Sequence, residues 1–145
     1  MSNHENLRIE ELETKDLHLA FPLISQLRSG LSLAQCKALV EEMKATGYRI
    51  FCLFAADKMV AYAGFAKQAN LYYGSYVWVY DLVTDEAERG RGYGAQLLSH
   101  VETWARAQGV SAVVLSSGLK RERAHKFYEK SMEYDIVSYV FKKNL

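Results

Sequence analysis

The spacing of apolar residues over the first part of the chain predicts two helices among four strands. Apolar and polar residues alternate over 7–12, which indicates a strand, and Thr14 or Asp16 can cap the helix that follows. Ser32 caps a second helix, which Gly47 ends. The predicted elements are strands over 7–12, 48–56, 59–68 and 76–84, helices over about 14–28 and between Ser32 and Gly47, and turns at 57–58 and 70–75.

The remaining residues alternate between helices and short strands. A helix begins after Gly94, since Leu97, Leu98 and Val101 share one apolar stripe with Trp104 and Ala105, and it ends at Gly109. Further on, the pattern predicts a strand over 112–116, a helix over 121–130 and a final strand over 135–142.

These elements define a fold class. The predicted order is β-α-α-β-β-β-α-β-α-β, in which consecutive strands form an antiparallel meander and strands joined by helical crossovers pair in parallel. This is a mixed α/β (α+β) fold with a central, mostly antiparallel sheet. With 145 residues, 50% of them hydrophobic and 24% charged, the chain is expected to form one domain over 1–145.

Composition excludes several classes of protein. Cys36 and Cys52 lie in apolar stretches without the spacing of a zinc site, so no metal is expected and a reducing cytoplasm is the simplest location. No apolar run has the length of a membrane span, and residues 1–10 are polar, without the apolar core of a signal peptide. We therefore expect a cytoplasmic protein that does not interact with membranes.

The net charge of +1 hides an uneven distribution. Residues 1–88 carry 8 basic and 12 acidic side chains, whereas residues 89–145 carry 10 basic and 5 acidic ones. The total argues against a protein held on nucleic acid by phosphate contacts. The basic second part could bind an anion and the acidic first part a cation, although chance alone can also sort surface charge in this way.

The strongest local motif is the glycine loop Arg89-Gly-Arg-Gly-Tyr-Gly94, between the strand at 76–84 and a strong helix. Glycines allow tight turns that bring several backbone N–H groups near a ligand, and a helix N-terminus favours phosphate. The loop lacks the Lys-Ser or Lys-Thr of a Walker motif and has the wrong spacing for a dinucleotide fingerprint. A pyrophosphate is the ligand that it favours, and an ordinary glycine-rich turn is the alternative.

Two motifs together resemble the GCN5-related N-acetyltransferase (GNAT) superfamily. Its pattern [Q/R]-x-x-G-x-[G/A] is matched by Arg89, Gly92 and Gly94, and its downstream alanine followed by Phe-Tyr is matched by Ala124 and Phe127-Tyr128. The resemblance covers about residues 77–141. Arg121 stands where many members have asparagine, and residues 131–134 lack the glycine that often precedes the last strand.

The resemblance implies transfer of an acetyl group from acetyl-CoA, used as co-substrate, to a primary amine by direct attack. A strand bulge near Asp81 would separate two parallel neighbouring strands and admit the pantetheine arm of the cofactor. The residues implied at the cofactor are Leu82, Val83, Arg89, Gly90, Arg91, Gly92, Tyr93, Gly94, Ala95, Arg121, Ala124 and Tyr128.

Tyr128 is the residue that we predict as general acid at the departing thiolate. At 100° per residue, Arg121, Ala124 and Tyr128 fall on one helix face. A small side chain one turn before a hydroxyl leaves room for a ligand. The alternative is that Tyr128 is a core residue. Neither cysteine lies in a motif, which disfavours a covalent acetyl-enzyme.

Asp81 needs an explanation, because strict alternation would bury its carboxylate beside Val79 and Val83. Either the strand bulges there, or this face is wet. Asp81 is a candidate catalytic base for the amine proton, with a structural or substrate-orienting carboxylate as the alternative. Tyr72, Tyr73 and Tyr80 are candidates for binding the protonated amine over their aromatic faces, unless they simply favour the strand conformation.

We therefore predict an N-acetyltransferase whose acceptor is a small-molecule amine. Within the same chemistry, the alternative acceptor is a lysine or N-terminus of a peptide or protein. An alternative of another class is a non-catalytic module that senses acyl-CoA. Nucleic-acid binding is disfavoured by the acidic first part of the chain. The resemblance implies that a homodimer is possible, although no feature of the sequence requires one.

Overall fold

A computed structural model describes residues 6–145 of the chain, so half of the polar N-terminal segment considered above, residues 1–5, lies outside the described residues. The chain divides into a first unit that ends at Val114 and a second unit over Leu115–Leu145. The strands and helices are β1 (Leu7–Glu11), α1 (Leu17–Leu27), α2 (Leu33–Lys44), β2 (Arg49–Ala55), β3 (Lys58–Asn70), β4 (Gly74–Thr84), α3 (Tyr93–Ala107), β5 (Val113–Leu115) and α4 (Glu122–Lys126).

The five strands form one sheet in the order β1-β2-β3-β4-β5. Neighbours from β1 to β4 are antiparallel, and β5 is parallel to β4. The loop between β3 and β4 is closed by Asn70, whose side-chain oxygen accepts hydrogen bonds from the backbone N–H groups of Tyr72 (3.0 Å) and Tyr73 (2.6 Å). The mixed fold class with a mostly antiparallel sheet is thus confirmed.

The two N-terminal helices begin in different ways. Ser32 caps α2 as predicted, because its hydroxyl accepts from the Gln35 N–H (3.1 Å) while the Gln35 side chain accepts from the Ser32 N–H (2.9 Å). The prediction that Thr14 or Asp16 caps α1 is wrong. Thr14–Asp16 forms a 3-10 turn that runs directly into α1, and the described residues provide no side-chain capping bond at its start.

Apolar side chains cover both faces of the sheet. On one face, α1 and α2 bury residues such as Leu17 and Val40 against the strands. On the other face, Leu97, Leu98 and Val101 of α3 are fully buried, as the predicted stripe requires. Burial of this apolar area is the main term that holds the helices on the sheet.

The last predicted strand is not present in the structure. Residues 135–142, all of them described, adopt no regular structure, and their apolar side chains, such as Val140 and Phe141, are exposed. Alternation gives a segment strand propensity, but a strand also needs a hydrogen-bonded neighbour. The helix predicted over 121–130 also differs, because α4 ends at Lys126 and continues as a π-helical turn over Phe127–Ser131.

Candidate active site

The glycine loop joins the end of β4 to the start of α3. Gly90 and Gly92 adopt left-handed conformations, with φ of +87° and +81°, that only glycine adopts readily. A Cβ at either position would meet no described atom within 4 Å. Steric crowding therefore does not explain why these two residues are glycines. Their left-handed backbone conformation explains it, and the absence of side chains leaves the loop open to a ligand.

The start of α3 presents backbone donors at the same place. The first hydrogen bond of the helix runs from the Gln96 N–H to the Gly92 carbonyl (3.0 Å), so Gly94 and Ala95 belong to the turn whose N–H groups have no acceptor within the helix. No side chain of a described residue caps this helix. The arrangement favours an anion, with the helix dipole adding partial positive charge.

The residues predicted to bind the cofactor in this loop differ in their exposure to solvent. Arg89 and Arg91 are exposed, as a phosphate contact from solvent requires. Tyr93 is buried, so only its backbone is available to a cofactor. Ala95 lines a groove beside Ile9, and its backbone N–H lies in the first turn of α3.

The segment before the loop is fixed by ion pairs and hydrogen bonds. Lys58 lies 3.2 Å from the Glu88 carboxylate and 3.5 Å from that of Asp85. The pKa of Asp85 is lowered, first by the hydrogen bond from the Ala87 N–H and then by the Gln26 amide and the charge of Lys58. Gln26 also accepts a hydrogen bond from the Glu86 N–H (2.9 Å), which ties this segment to α1.

A β-bulge lies in the middle of β4, where it was predicted. Gly64 is paired with Asp81 and Phe65 with Val79, so Tyr80 is the extra residue. The bulge breaks the alternation, and Asp81 therefore shares the α1 side of the sheet with Tyr80 instead of entering the core beside Val79. Leu82 and Val83 follow directly. Val83 is buried in the core, which leaves its backbone for the predicted cofactor contact.

The carboxylate of Asp81 is held by residues from two other elements. Tyr48 donates a hydrogen bond to Oδ2 (2.7 Å), and the guanidinium of Arg28 lies 3.1 Å from Oδ1. Arg28 also donates to the Tyr80 carbonyl (3.0 Å). The side chain of Asp81 is 20% exposed, so the carboxylate has two partners and is still within reach of solvent.

Tyr48 and its neighbour Tyr62 form a buried pair of hydroxyls, 3.0 Å apart. Burial is the main cause that raises the pKa of each phenol well above its usual value, with the charge of Asp81 adding to it. Sequence reasoning missed Tyr48, because it lies 33 residues from Asp81. The available signal was Gly64, a glycine inside a strongly apolar strand, which often marks a close approach of another group.

The three tyrosines predicted at the acceptor do not lie together. Tyr80 is half-buried beside Asp81, and its ring packs edge-on against Tyr48. Tyr72 and Tyr73 pack edge-on against each other at the tip of the β3–β4 hairpin, where Tyr72 is 75% exposed. Six strand residues lie between Tyr73 and Tyr80, so the two tyrosines are roughly 20 Å apart along the strand. Only Tyr80 is placed to share a ligand with Asp81.

In the second unit, Arg121 directly precedes α4, Ala124 lies within it, and Tyr128 lies in the π-helical turn. The spacing of 100° per residue holds for Arg121 and Ala124 but not across this turn, so the predicted common stripe does not extend regularly to Tyr128. The Tyr128 ring packs against Phe127 and Tyr134. A π-helical turn of this kind is frequent at functional sites.

The two cysteines are buried and free. Burial raises the pKa of the Cys52 thiol to about 12, and it also raises the pKa of Cys36. Both thiols are therefore poor nucleophiles at neutral pH. Within residues 6–145, no group of three or more acidic, cysteine or histidine side chains is arranged to hold a metal, and no helix has the length and apolarity to cross a membrane.

Comparisons with known proteins identify the family of the chain. The sequence profile of the Acetyltransferase (GNAT) family matches residues 11–134, which is most of the chain. The uncharacterized N-acetyltransferase YhdJ of Bacillus subtilis (strain 168) is 35% identical over 125 residues, covering 86% of this chain and 88% of that protein. The chain belongs to the GNAT family, and it is an N-acetyltransferase.

Solved structures support the fold. The aminoglycoside N-acetyltransferase AAC(6')-Iy in complex with CoA has a TM-score of 0.85 at 17% identity, over 99% of this chain and 98% of that one. An acetyltransferase of Trypanosoma brucei has a TM-score of 0.78 at 22% identity, over 97% and 100% of the two chains. The predicted GNAT-like architecture is thus confirmed.

Proposed function

We propose that this enzyme transfers the acetyl group of acetyl-CoA to a primary amine of a small molecule by direct attack. The observation that carries the proposal is the pairing of two features on one strand. A carboxylate is turned out of the core at the β4 bulge, and a phosphate-binding loop follows the end of the same strand. An acyl transfer needs both an amine-binding group and a cofactor site.

The glycine loop supplies the cofactor site. Backbone N–H groups of residues 92–95 and the side chains of Arg89 and Arg91 bind the pyrophosphate, while the backbone of Leu82 and Val83 contacts the pantetheine arm. Amides that are fixed before the ligand arrives bind charge without the cost of reorganisation. Arg121 and Ala124 are also proposed as cofactor-binding residues.

Asp81 and Tyr128 are the proposed catalytic pair. Asp81 binds the ammonium group of the acceptor and takes its proton, directly or through water. The neutral nitrogen attacks the thioester carbonyl, an N–C bond forms, and the C–S bond breaks as the tetrahedral intermediate collapses. Tyr128 gives its proton to the departing thiolate, and the second proton lost from the acylated nitrogen returns to the tyrosinate through solvent. The buried, weakly acidic thiols of Cys36 and Cys52 support direct transfer without an acetyl-cysteine.

A small-molecule acceptor is favoured by the solved relatives. AAC(6')-Iy has also been solved with a bisubstrate analog of CoA and acetylneamine, and that structure has a TM-score of 0.81 to this chain. The half-buried Tyr80 beside Asp81 gives the acceptor an aromatic surface. We propose a cytoplasmic location, which the two unpaired cysteines support.

The test is release of free CoA thiol from acetyl-CoA with a panel of amines. The panel contains neamine, spermidine, phenylethylamine, a lysine-containing peptide and a peptide with a free N-terminus. We expect at least one small amine to give amine-dependent thiol release and a product heavier by one acetyl group. Transfer only to the peptides would overturn the small-molecule assignment, and binding of acetyl-CoA without any transfer would indicate a sensor.

A further inference from the structure

We infer that Tyr48 is the positioning residue of this enzyme, holding the Asp81 carboxylate in the orientation in which it meets the acceptor amine. The inference rests on the proposed role of Asp81. Tyr48 directly precedes β2 and lies in no acetyltransferase motif, and its hydroxyl is 2.7 Å from Asp81 Oδ2. It acts through Asp81 and has no chemical step of its own.

The direction of the hydrogen bonds is determined by the protonation states. Burial and the nearby negative charge keep both phenols protonated, so each has one proton to donate. Tyr48 donates its hydrogen bond to the carboxylate, which can only accept hydrogen bonds when it is ionised. Its oxygen is then the acceptor for Tyr62, 3.0 Å away. The chain Tyr62 to Tyr48 to Asp81 thus runs one way.

The two partners of Asp81 differ in exposure, and this separates their roles. Tyr48 is 5% exposed, whereas the side chain of Arg28 is 48% exposed and ends on the solvent side. An exposed ion pair is weak and exchanges readily, while a buried hydrogen bond to a charge is stronger. Arg28 can therefore give way to an incoming ammonium group, and Tyr48 keeps Oδ2 in place while it does so.

Gly64 gives independent support, because the absence of a side chain at this position of β3 leaves room for the Tyr48 phenol. A Cβ built at Gly64 would lie 1.7 Å from the Tyr48 hydroxyl oxygen, so no other residue fits at this position without moving the ring. Gly64 has an ordinary φ, so its backbone conformation does not require glycine. The glycine at the bulge is therefore explained by the approach of Tyr48 to Asp81.

The hydroxyl chain does not serve as a route for the proton. It leads from Asp81 through Tyr48 to Tyr62, which is 1% exposed and ends in the core near Cys36 and Cys52. A proton taken by Asp81 leaves instead through the exposed side of the carboxylate. The charged and titratable groups described around Asp81 are Arg28 of α1, Cys36 of α2, and the two tyrosines.

The test compares Tyr48→Phe, Asp81→Asn and the double variant, using acetyl-CoA and the fastest amine of the panel above. We expect Tyr48→Phe to lower kcat/KM for the amine about tenfold and Asp81→Asn about 100-fold, with unchanged affinity for acetyl-CoA. In the double variant, Tyr48→Phe should add less than a twofold loss, because its target carboxylate is gone.

Two controls separate positioning from stability. Tyr76→Phe removes a hydroxyl bonded to Gln68 on the same sheet and should leave kcat/KM within twofold. Thermal unfolding of each variant shows whether it is folded at the assay temperature. If Tyr48→Phe is folded and retains full kcat/KM while Asp81→Asn loses it, the positioning role is wrong and the proposed function stands. If Asp81→Asn is fully active, the proposed role of Asp81 is wrong, and the positioning role of Tyr48 is wrong with it.

Discussion

The glycine loop and the Asp81 cluster are built in opposite ways. The loop is a continuous stretch of exposed backbone, in which a few glycines and one helix start provide the donors. The cluster consists of side chains from α1, the start of β2, β3 and β4, up to 53 residues apart in sequence, and its hydroxyls are buried. In the proposed function, the loop binds the cofactor and the Asp81 cluster meets the acceptor amine.

This difference indicates where substitutions can change the ligand specificity of the enzyme. A loop that binds through its backbone tolerates changes of most side chains but few changes of its glycines. A cluster of side chains changes its ligand with single substitutions, provided that the partners of each buried polar group are kept. The following predictions test this division, from the largest expected effect to the smallest.

Gly92→Glu should have the largest effect, because it adds a negative charge and a side chain where the phosphates bind, at a φ of +81°. We expect acetyl-CoA to bind at least about 100-fold more weakly, about 2.7 kcal/mol, measured by titration calorimetry. Gly109→Glu is the matched control, since Gly109 also has a left-handed φ, +75°, and open space, but lies past the other end of α3. Equal loss of binding in both variants would contradict the loop assignment.

Tyr128→Phe should lower kcat by about 100-fold without weakening acetyl-CoA binding, because it removes the proton that the thiolate receives. The measurement is thiol release at saturating acetyl-CoA and amine across pH 6–9, a range chosen for the assay. Tyr139→Phe, an exposed residue of the same unit, is the control and should behave as the native enzyme. A Tyr128→Phe variant with native kcat throughout would exclude the general-acid role.

Asp85→Asn should destabilise the protein by up to about 1 kcal/mol, because asparagine can still cap the turn at Ala87 but lacks the charge that pairs with Lys58. The pKa of Asp85 is lowered in the folded state, so its charge stabilises the fold above the unfolded pKa of about 3.9 and this stabilisation is lost as the pH falls through the folded value. Urea unfolding should therefore show a difference between variant and native protein at pH 7 that shrinks as the pH falls below the unfolded pKa. Asp57→Asn, in an exposed hairpin turn, is the control. A pH-independent difference would rule out the charge as its cause.

Cys36→Ala and Cys52→Ala should have the smallest effect on catalysis, with kcat/KM within about twofold of native, because neither thiol takes part. Both thiols are buried with raised pKa values, so a thiol reagent should label them much more slowly in the native than in the unfolded protein. Loss of turnover in either folded variant would favour an acetyl-cysteine intermediate over direct attack.

The sequence allowed the loop to be predicted almost completely, because Arg89, Gly92 and Gly94 are close together and each has a local physical reason. The bulge at Asp81 could also be predicted, since a buried carboxylate in an alternating strand conflicts with simple register. Tyr48 and Arg28 could not, because only the folded sheet brings them to Asp81. The prediction of a strand over 135–142 is wrong for the same reason. Strand pairing depends on residues distant in sequence, which the local alternation of apolar and polar residues does not describe.

The most direct test of this division is titration of acetyl-CoA into Asp81→Asn. Since Asp81 serves the amine and the loop serves the cofactor, we expect a Kd within about twofold of the native value, in a variant whose transfer to the amine is strongly reduced. A loss of acetyl-CoA affinity as large as that of Gly92→Glu would contradict the account, because it would make Asp81 part of the cofactor site.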